Sequence, residues 1–138
     1  MFTRIAKNLS CLLVCLLAIV GPCLATDGFR FPTERITVIE WATYLAEVKA
    51  LPGVQIKEGD QQITISQAKP NAVIYSFTTA KNPAHPGVVI REIVKRGDGY
   101  YIDRKGYYGG DIREFDRWWH AFDVLDEKIK NDLTKKAK

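Results

Sequence analysis

The chain has 138 residues, three cysteines and 20 Lys plus Arg against 16 Asp plus Glu, a formal net charge of +4. That length fits one domain and leaves no room for a second. No basic stripe with interleaved aromatics appears, which argues against a nucleic-acid partner; the cluster Lys135, Lys136 and Lys138 reads as a solvated helix end that complements the helix dipole.

The first residues read as a targeting segment. Arg4 and Lys7 form a positive start, Cys11 to Val20 is an unbroken apolar run, Gly21-Pro22 breaks a helix, and Leu24-Ala25 ends on a small residue suited to signal peptidase. A cut after Ala25 is expected, giving a leader over 1–25, a single domain over 26–138, and a periplasmic or secreted protein. The rival reading is an uncleaved anchor, because the uncharged run from Asn8 to Thr26 nearly reaches the roughly 18 to 20 residues that a spanning helix needs. Pro22 and the polar ends weigh against it, so membrane contact is expected only through an uncleaved leader. A lipid anchor at Cys23 is disfavoured, since the rigid Pro22 precedes it. Cys11, Cys15 and Cys23 all fall in the leader, so the remaining chain would have no disulfide and no thiolate. Removing 25 of 138 residues leaves 138 − 25 = 113, and removing Arg4 and Lys7 leaves 18 − 16 = +2. A domain of that size buries about two-thirds of its unfolded surface, enough to hold without staples.

After a lead-in with Phe29, Phe31 and Pro32, Thr37 and Glu40 have capping-box spacing, and Val38, Trp41, Leu45 and Val48 fall on one stripe. A first helix over Val38 to Ala50 follows, closed by Pro52-Gly53. Strands are expected at Val54 to Lys57, at Gln62 to Gln67 with Ile63 and Ile65 on one face, and at Ala72 to Thr79 with Val73, Tyr75 and Phe77 opposite Ile74. Val88 to Lys95 and Tyr100 to Asp103 form a hairpin about Gly97-Asp98-Gly99. Short connections make neighbours antiparallel. Gly106-Tyr107-Tyr108-Gly109-Gly110 then reads as an aromatic loop leading into the last helix, which Asp111 and Glu114 would cap. Its stripe is Phe115, Trp118, Phe122, Leu125 and Ile129, with Trp119 at the edge.

The residues give little sign of catalysis. Ser66 and Ser76 lie in strands without a nucleophile elbow, and the glycines match no phosphate or dinucleotide loop. His120 is explained by a helical pair with Asp116, four residues before it. His85, set between Pro83 and Pro86, is a candidate base or ligand in an extended loop. Neither cofactor nor metal site is expected. Asp98, Asp103 and Asp111 each have a local role at a turn, a strand end and a helix cap.

What remains is aromatic. Tyr101, Tyr107 and Tyr108, with His85, are the expected ligand-binding residues, because exposed tyrosines beside glycines can anchor a protein or stack on a sugar ring. The competing reading is that they cover the end of the core. The order helix, antiparallel strands, helix is similar to that of cystatin-like and NTF2-like folds, an order that carries many functions and transfers none. The expected architecture is α+β, an antiparallel sheet of four to five strands with both helices on one face. The expected function is that of an exported, non-enzymatic binding or inhibitory module for a protein or an envelope glycan. The alternative is a small hydrolase of cell-wall or other glycans, using carboxylates near Asp98 and Asp103.

Overall fold

The computed structural model describes residues 30–31 and 33–138; the expected leader, its cleavage site and all three cysteines lie outside them. The fold class and element order are those expected. Helix α1 (Val38–Lys49) precedes strands β1 (Gln55–Glu58), β2 (Gln62–Gln67), β3 (Ala72–Thr78), β4 (Gly87–Arg96) and β5 (Gly99–Tyr108), and helix α2 (Ile112–Lys136) ends the chain. The strands form one five-stranded antiparallel meander in the order β1-β2-β3-β4-β5. Among the described residues, no helix is long and apolar enough to cross a membrane.

Period-2 alternation sorts side chains to the two faces. Phe77, Val88 and Tyr107 sit opposite one another across β3, β4 and β5. Together with Ile65, Tyr44 and Val48 they form one buried cluster, against which Trp41 and Leu45 of α1 pack. The next residues along the same strands, Ser76, Val89 and Gly106, face the other way. Val89 belongs to a second cluster with Phe115 and Phe122 of α2, flanked by Trp118 and Trp119. The helices therefore lie on opposite faces, not on one face as the sequence suggested. The reason is in the strands: β4 carries apolar residues at consecutive positions, Val88 and Val89, so both faces need cover.

Helix α1 starts as its capping box dictates: Thr37 Oγ1 accepts from Glu40 N at 3.1 Å, and the Glu40 carboxylate accepts from Thr37 N at 2.7 Å. Its buried stripe runs through Tyr44 and Val48, whereas Val38, expected on that stripe, is exposed. In α2, Asp111 caps through Arg113 N at 2.8 Å, and Glu114 reaches instead to Arg117. Its stripe begins as expected at Phe115 and Phe122 and then turns from Leu125, which is 48% exposed, to Asp126, which is buried.

Beneath that part of α2 the sheet presents charge. Arg91 of β4 and Arg104 of β5 are register partners, and both bind Asp126: Arg91 Nη1 donates to Oδ1 at 3.0 Å and Arg104 Nε to Oδ2 at 3.1 Å. Arg104 also donates to Trp119 O at 2.8 Å and to Asp123 Oδ1 at 2.9 Å. Their flat faces are used as well, Arg91 lying 4.5 Å from the Phe122 ring centre and Arg104 4.7 Å from that of Trp119. Such a cluster is costly to desolvate and is held only because each charge finds a geometrically good partner.

Candidate functional site

β5 runs five residues further than the sequence suggested, through Tyr108. The aromatic pair is thus part of the sheet and not a loop. Tyr107 is fully buried; its hydroxyl accepts from the Arg30 backbone N–H, and its ring meets that of Phe31 edge-on at 5.1 Å. Burial holds the Tyr107 hydroxyl above its ordinary pKa. For this residue the core-cover reading holds, because the lead-in folds over it and supplies the cover that a loop would have lacked.

Tyr108 lines a cleft. The lead-in makes a parallel bridge to it: Tyr108 N donates to Glu34 O at 2.9 Å, and Ile36 N donates to Tyr108 O at 3.0 Å. Its ring stacks on Phe115 at 5.3 Å and is approached by the Arg35 guanidinium at 4.9 Å. Tyr101 lies seven positions back along β5, about 23 Å at strand spacing, half-exposed beside Arg96. His85 lies elsewhere again. Its Nδ1 is 3.0 Å from Thr78 Oγ1, and its ring packs at 4.7 Å against Trp41. The expected site residues are thus dispersed.

The structure instead assembles a cleft of about 490 Å³ between the lead-in, the outer edge of β5 and the first turns of α2. Tyr108, Ile112, Phe115 and Trp119 make it apolar, while Glu34, Asp116, Arg104 and Lys105 give it charges of both signs. Gly106 is what lets α2 come this close. A Cβ there would stand 2.7 Å from Phe115 Cζ and 2.8 Å from Trp119 Cζ3, so those rings occupy the space a side chain would take. Gly109 does the same for the lead-in, since its Cβ would fall 2.3 Å from Ile36 O. A smaller hollow of about 220 Å³ lies further along α2, beside Ile102, Arg104, Asp123 and Asp126.

Of the cleft-lining residues, the sequence places Phe115 on a helical stripe, which reads first as packing, and Trp119 at the edge of that stripe, and it gives no signal at Ile112. The available signal was Gly106 itself, a glycine inside an otherwise regular strand, which marks close approach by another element. The carboxylates keep local roles: Asp98 lies in the hairpin turn, Asp103 pairs with Arg96 at 2.5 Å, and Asp111 caps α2. Among the described residues no group of three or more His, Cys, Asp or Glu side chains is arranged to hold a metal ion. Comparison with protein-family models, curated proteins and solved structures finds no match to this chain, so the meaning of the cleft rests on its own geometry.

Proposed function

We propose that the protein is an exported, non-enzymatic binding module whose ligand surface is the cleft between β5, α2 and the lead-in. The observation that carries the reading is the combination of an apolar floor with charges of both signs in one concave site, the composition of a ligand pocket of ordinary size. Export is proposed on the leader-like sequence over 1–25 alone.

A protein segment suits this cleft better than a glycan. Sugar stacking needs an open ring face, and the Tyr108 ring already stacks on Phe115 and meets Arg35, while Trp119 meets Arg104. What remains available is apolar edge and backbone, which takes an apolar side chain. The hydrolase alternative, on carboxylates near Asp98 and Asp103, has less support, because Asp103 is engaged by Arg96 and Asp98 sits in the hairpin turn.

The test is a pair of affinity captures from envelope extract, with the natural protein and with Ile112→Glu. Ile112 is 49% exposed, so the change places a carboxylate at the cleft with little demand on the core. A protein retained by the natural chain and lost with Ile112→Glu supports the reading. Equal retention by both would remove the cleft from consideration.

A further inference from the structure

One end of the molecule is both basic and aromatic. The last pair between β3 and β4 is Ala72 with Ile93, whereas β4 and β5 stay paired as far as Arg96 with Gly99. Residues 94–101 therefore form a two-stranded finger that outruns β3. It carries Lys95 and Arg96, whose cationic groups lie 5.9 and 5.5 Å from the ring centres of Tyr100 and Tyr101. Tyr101 is exposed.

Helix α2 runs back along β5 toward this finger: Trp119 lies at Gly106, Asp126 at Arg104, and Lys130 shares a hollow with Ile102. From Lys130 to Lys136 the helix rises about 9 Å, and from Ile102 to Gly99 the strand rises about 10 Å. The end of α2 and the tip of the finger are thus level. Lys69, in the turn between β2 and β3, lies at the same end, since Gln67 pairs with Val73 and Ala72 with Ile93.

Charge is divided along α2. Residues 112–126 hold two arginines against four carboxylates, 2 − 4 = −2, and residues 127–138 hold five lysines against Glu127 and Asp132, 5 − 2 = +3. A helix C-terminus carries only about half a negative charge, so complementing the dipole accounts for a small part of that excess. Lys69, Lys128, Lys135, Lys136 and Lys138 are exposed, and among the described residues the lysines in ion pairs are others, such as Lys49, Lys81 and Lys130.

We infer that this end docks on a bilayer surface of anionic phospholipid, with the finger tyrosines at headgroup level and the lysines of α2 and Lys69 on the phosphates around them. The sequence pointed to membrane contact only through an uncleaved leader. A fluid headgroup layer suits this charge better than a fixed polyanion. The lysines come from three separate elements and lie at one end rather than along a stripe that a strand could follow. Near an anionic leaflet each lysine gains attraction without needing a fixed spacing, and tyrosine rings, apolar in the body and polar at the tip, concentrate at the boundary between membrane and water. The cleft is at the opposite end of α2, whose 25 residues span about 37 Å, so a docked protein holds its cleft away from the bilayer. The inference therefore stands apart from the binding reading.

Vesicle co-sedimentation tests it. The natural protein, as isolated, is mixed with vesicles of phosphatidylcholine alone and with vesicles in which about one lipid in three is phosphatidylglycerol. Binding to the anionic vesicles is expected to exceed binding to the neutral ones by about tenfold or more at low salt, and to fall steeply as salt shortens the screening length. Lys135→Glu with Lys136→Glu and Lys138→Glu should abolish the preference, and Lys95→Glu with Tyr101→Ser should weaken it several-fold. All five positions are exposed, so circular dichroism should show the natural fold in both variants. Equal binding to the two kinds of vesicle, as an uncleaved leader alone would give, overturns the inference. So does a preference left unchanged by either set of substitutions. Retention on immobilised heparin with no preference for anionic vesicles would assign this end to a soluble polyanion and overturn membrane docking.

Discussion

Under α1 the sheet presents Ile65, Phe77, Val88 and Tyr107, all fully buried and met by Tyr44 and Val48. Under α2 the same sheet presents Val89 to Phe115 and Phe122, and then turns to Arg91 and Arg104 gathered on Asp126. The first face is held by apolar burial and edge-on aromatic contacts, such as Tyr44 with Phe77 at 5.6 Å. The second combines aromatic packing with a buried ion cluster, and also encloses Arg91 Nε without a hydrogen-bond partner among the described residues. One face tolerates small changes in proportion to volume. The other answers to whether its charges stay matched.

The largest effect expected from breaking this contrast is at Asp126. Asp126→Ala leaves two arginines without their shared carboxylate and should cost about 3 to 5 kcal/mol in chemical denaturation. Joint replacement sharpens the point: Arg91→Met, Arg104→Met and Asp126→Leu together should recover most of that loss, because removing all the charges removes their desolvation cost. If the triple variant is as unstable as Asp126→Ala, the cluster contributes through shape and not through matched charge.

On the other face, Phe77→Ala should cost a similar amount, about 3 to 5 kcal/mol, by opening a cavity. Here the loss should not depend on salt, whereas the loss at Asp126 should. Denaturation at low and high ionic strength separates the two, and equal salt responses would erase the distinction between the faces.

A smaller effect is expected where the faces meet at the edge of the sheet. Gly106→Ala forces a methyl group against Phe115 and Trp119 at 2.7 and 2.8 Å, and overpacking of this kind costs about 1 to 3 kcal/mol. Quenching of tryptophan fluorescence by a soluble agent should rise in the variant, because Trp119 must move outward. An unchanged quenching profile would place the strain elsewhere.

The smallest effect lies on the outer side of α2. A hydrogen bond to Asp123, with the nearby Asp116 charge adding to it, holds His120 above its ordinary value of 6.5. In turn the bonds from His120 and then Arg104 hold Asp123 below 3.8. A raised imidazole contributes stability in full below the unfolded value and loses it as pH rises through the folded one; a depressed carboxylate contributes above its unfolded value and loses it as pH falls. The pair therefore acts between mildly acidic and near-neutral pH. An NMR titration of His120 should have its midpoint above 6.5, and Asp123→Asn should bring it back toward that value. A midpoint at or below 6.5 in the natural protein would show that solvent screens the pair.

Local rules written in adjacent residues determined much of this molecule. Thr37 with Glu40 fixed the start of α1, Gly97-Asp98-Gly99 fixed the hairpin, and the alternation in Gln62 to Gln67 and Ala72 to Thr78 fixed two strands and the faces of their side chains. Each depends on bonds or contacts within a few positions, so a linear pattern suffices. The reach of β5 to Tyr108, the division of the helices between the faces and the cleft at Gly106 were decided only in three dimensions. Tyr107 looked unconstrained until the lead-in, more than 70 residues earlier, folded over it; Arg30 and Tyr107 are separated by 77 positions. Leu125 and Asp126 are adjacent, and a helical stripe favours the leucine for the core. Two arginines on neighbouring strands reversed that choice, because a buried charge must be met by its opposite wherever in the chain it lies.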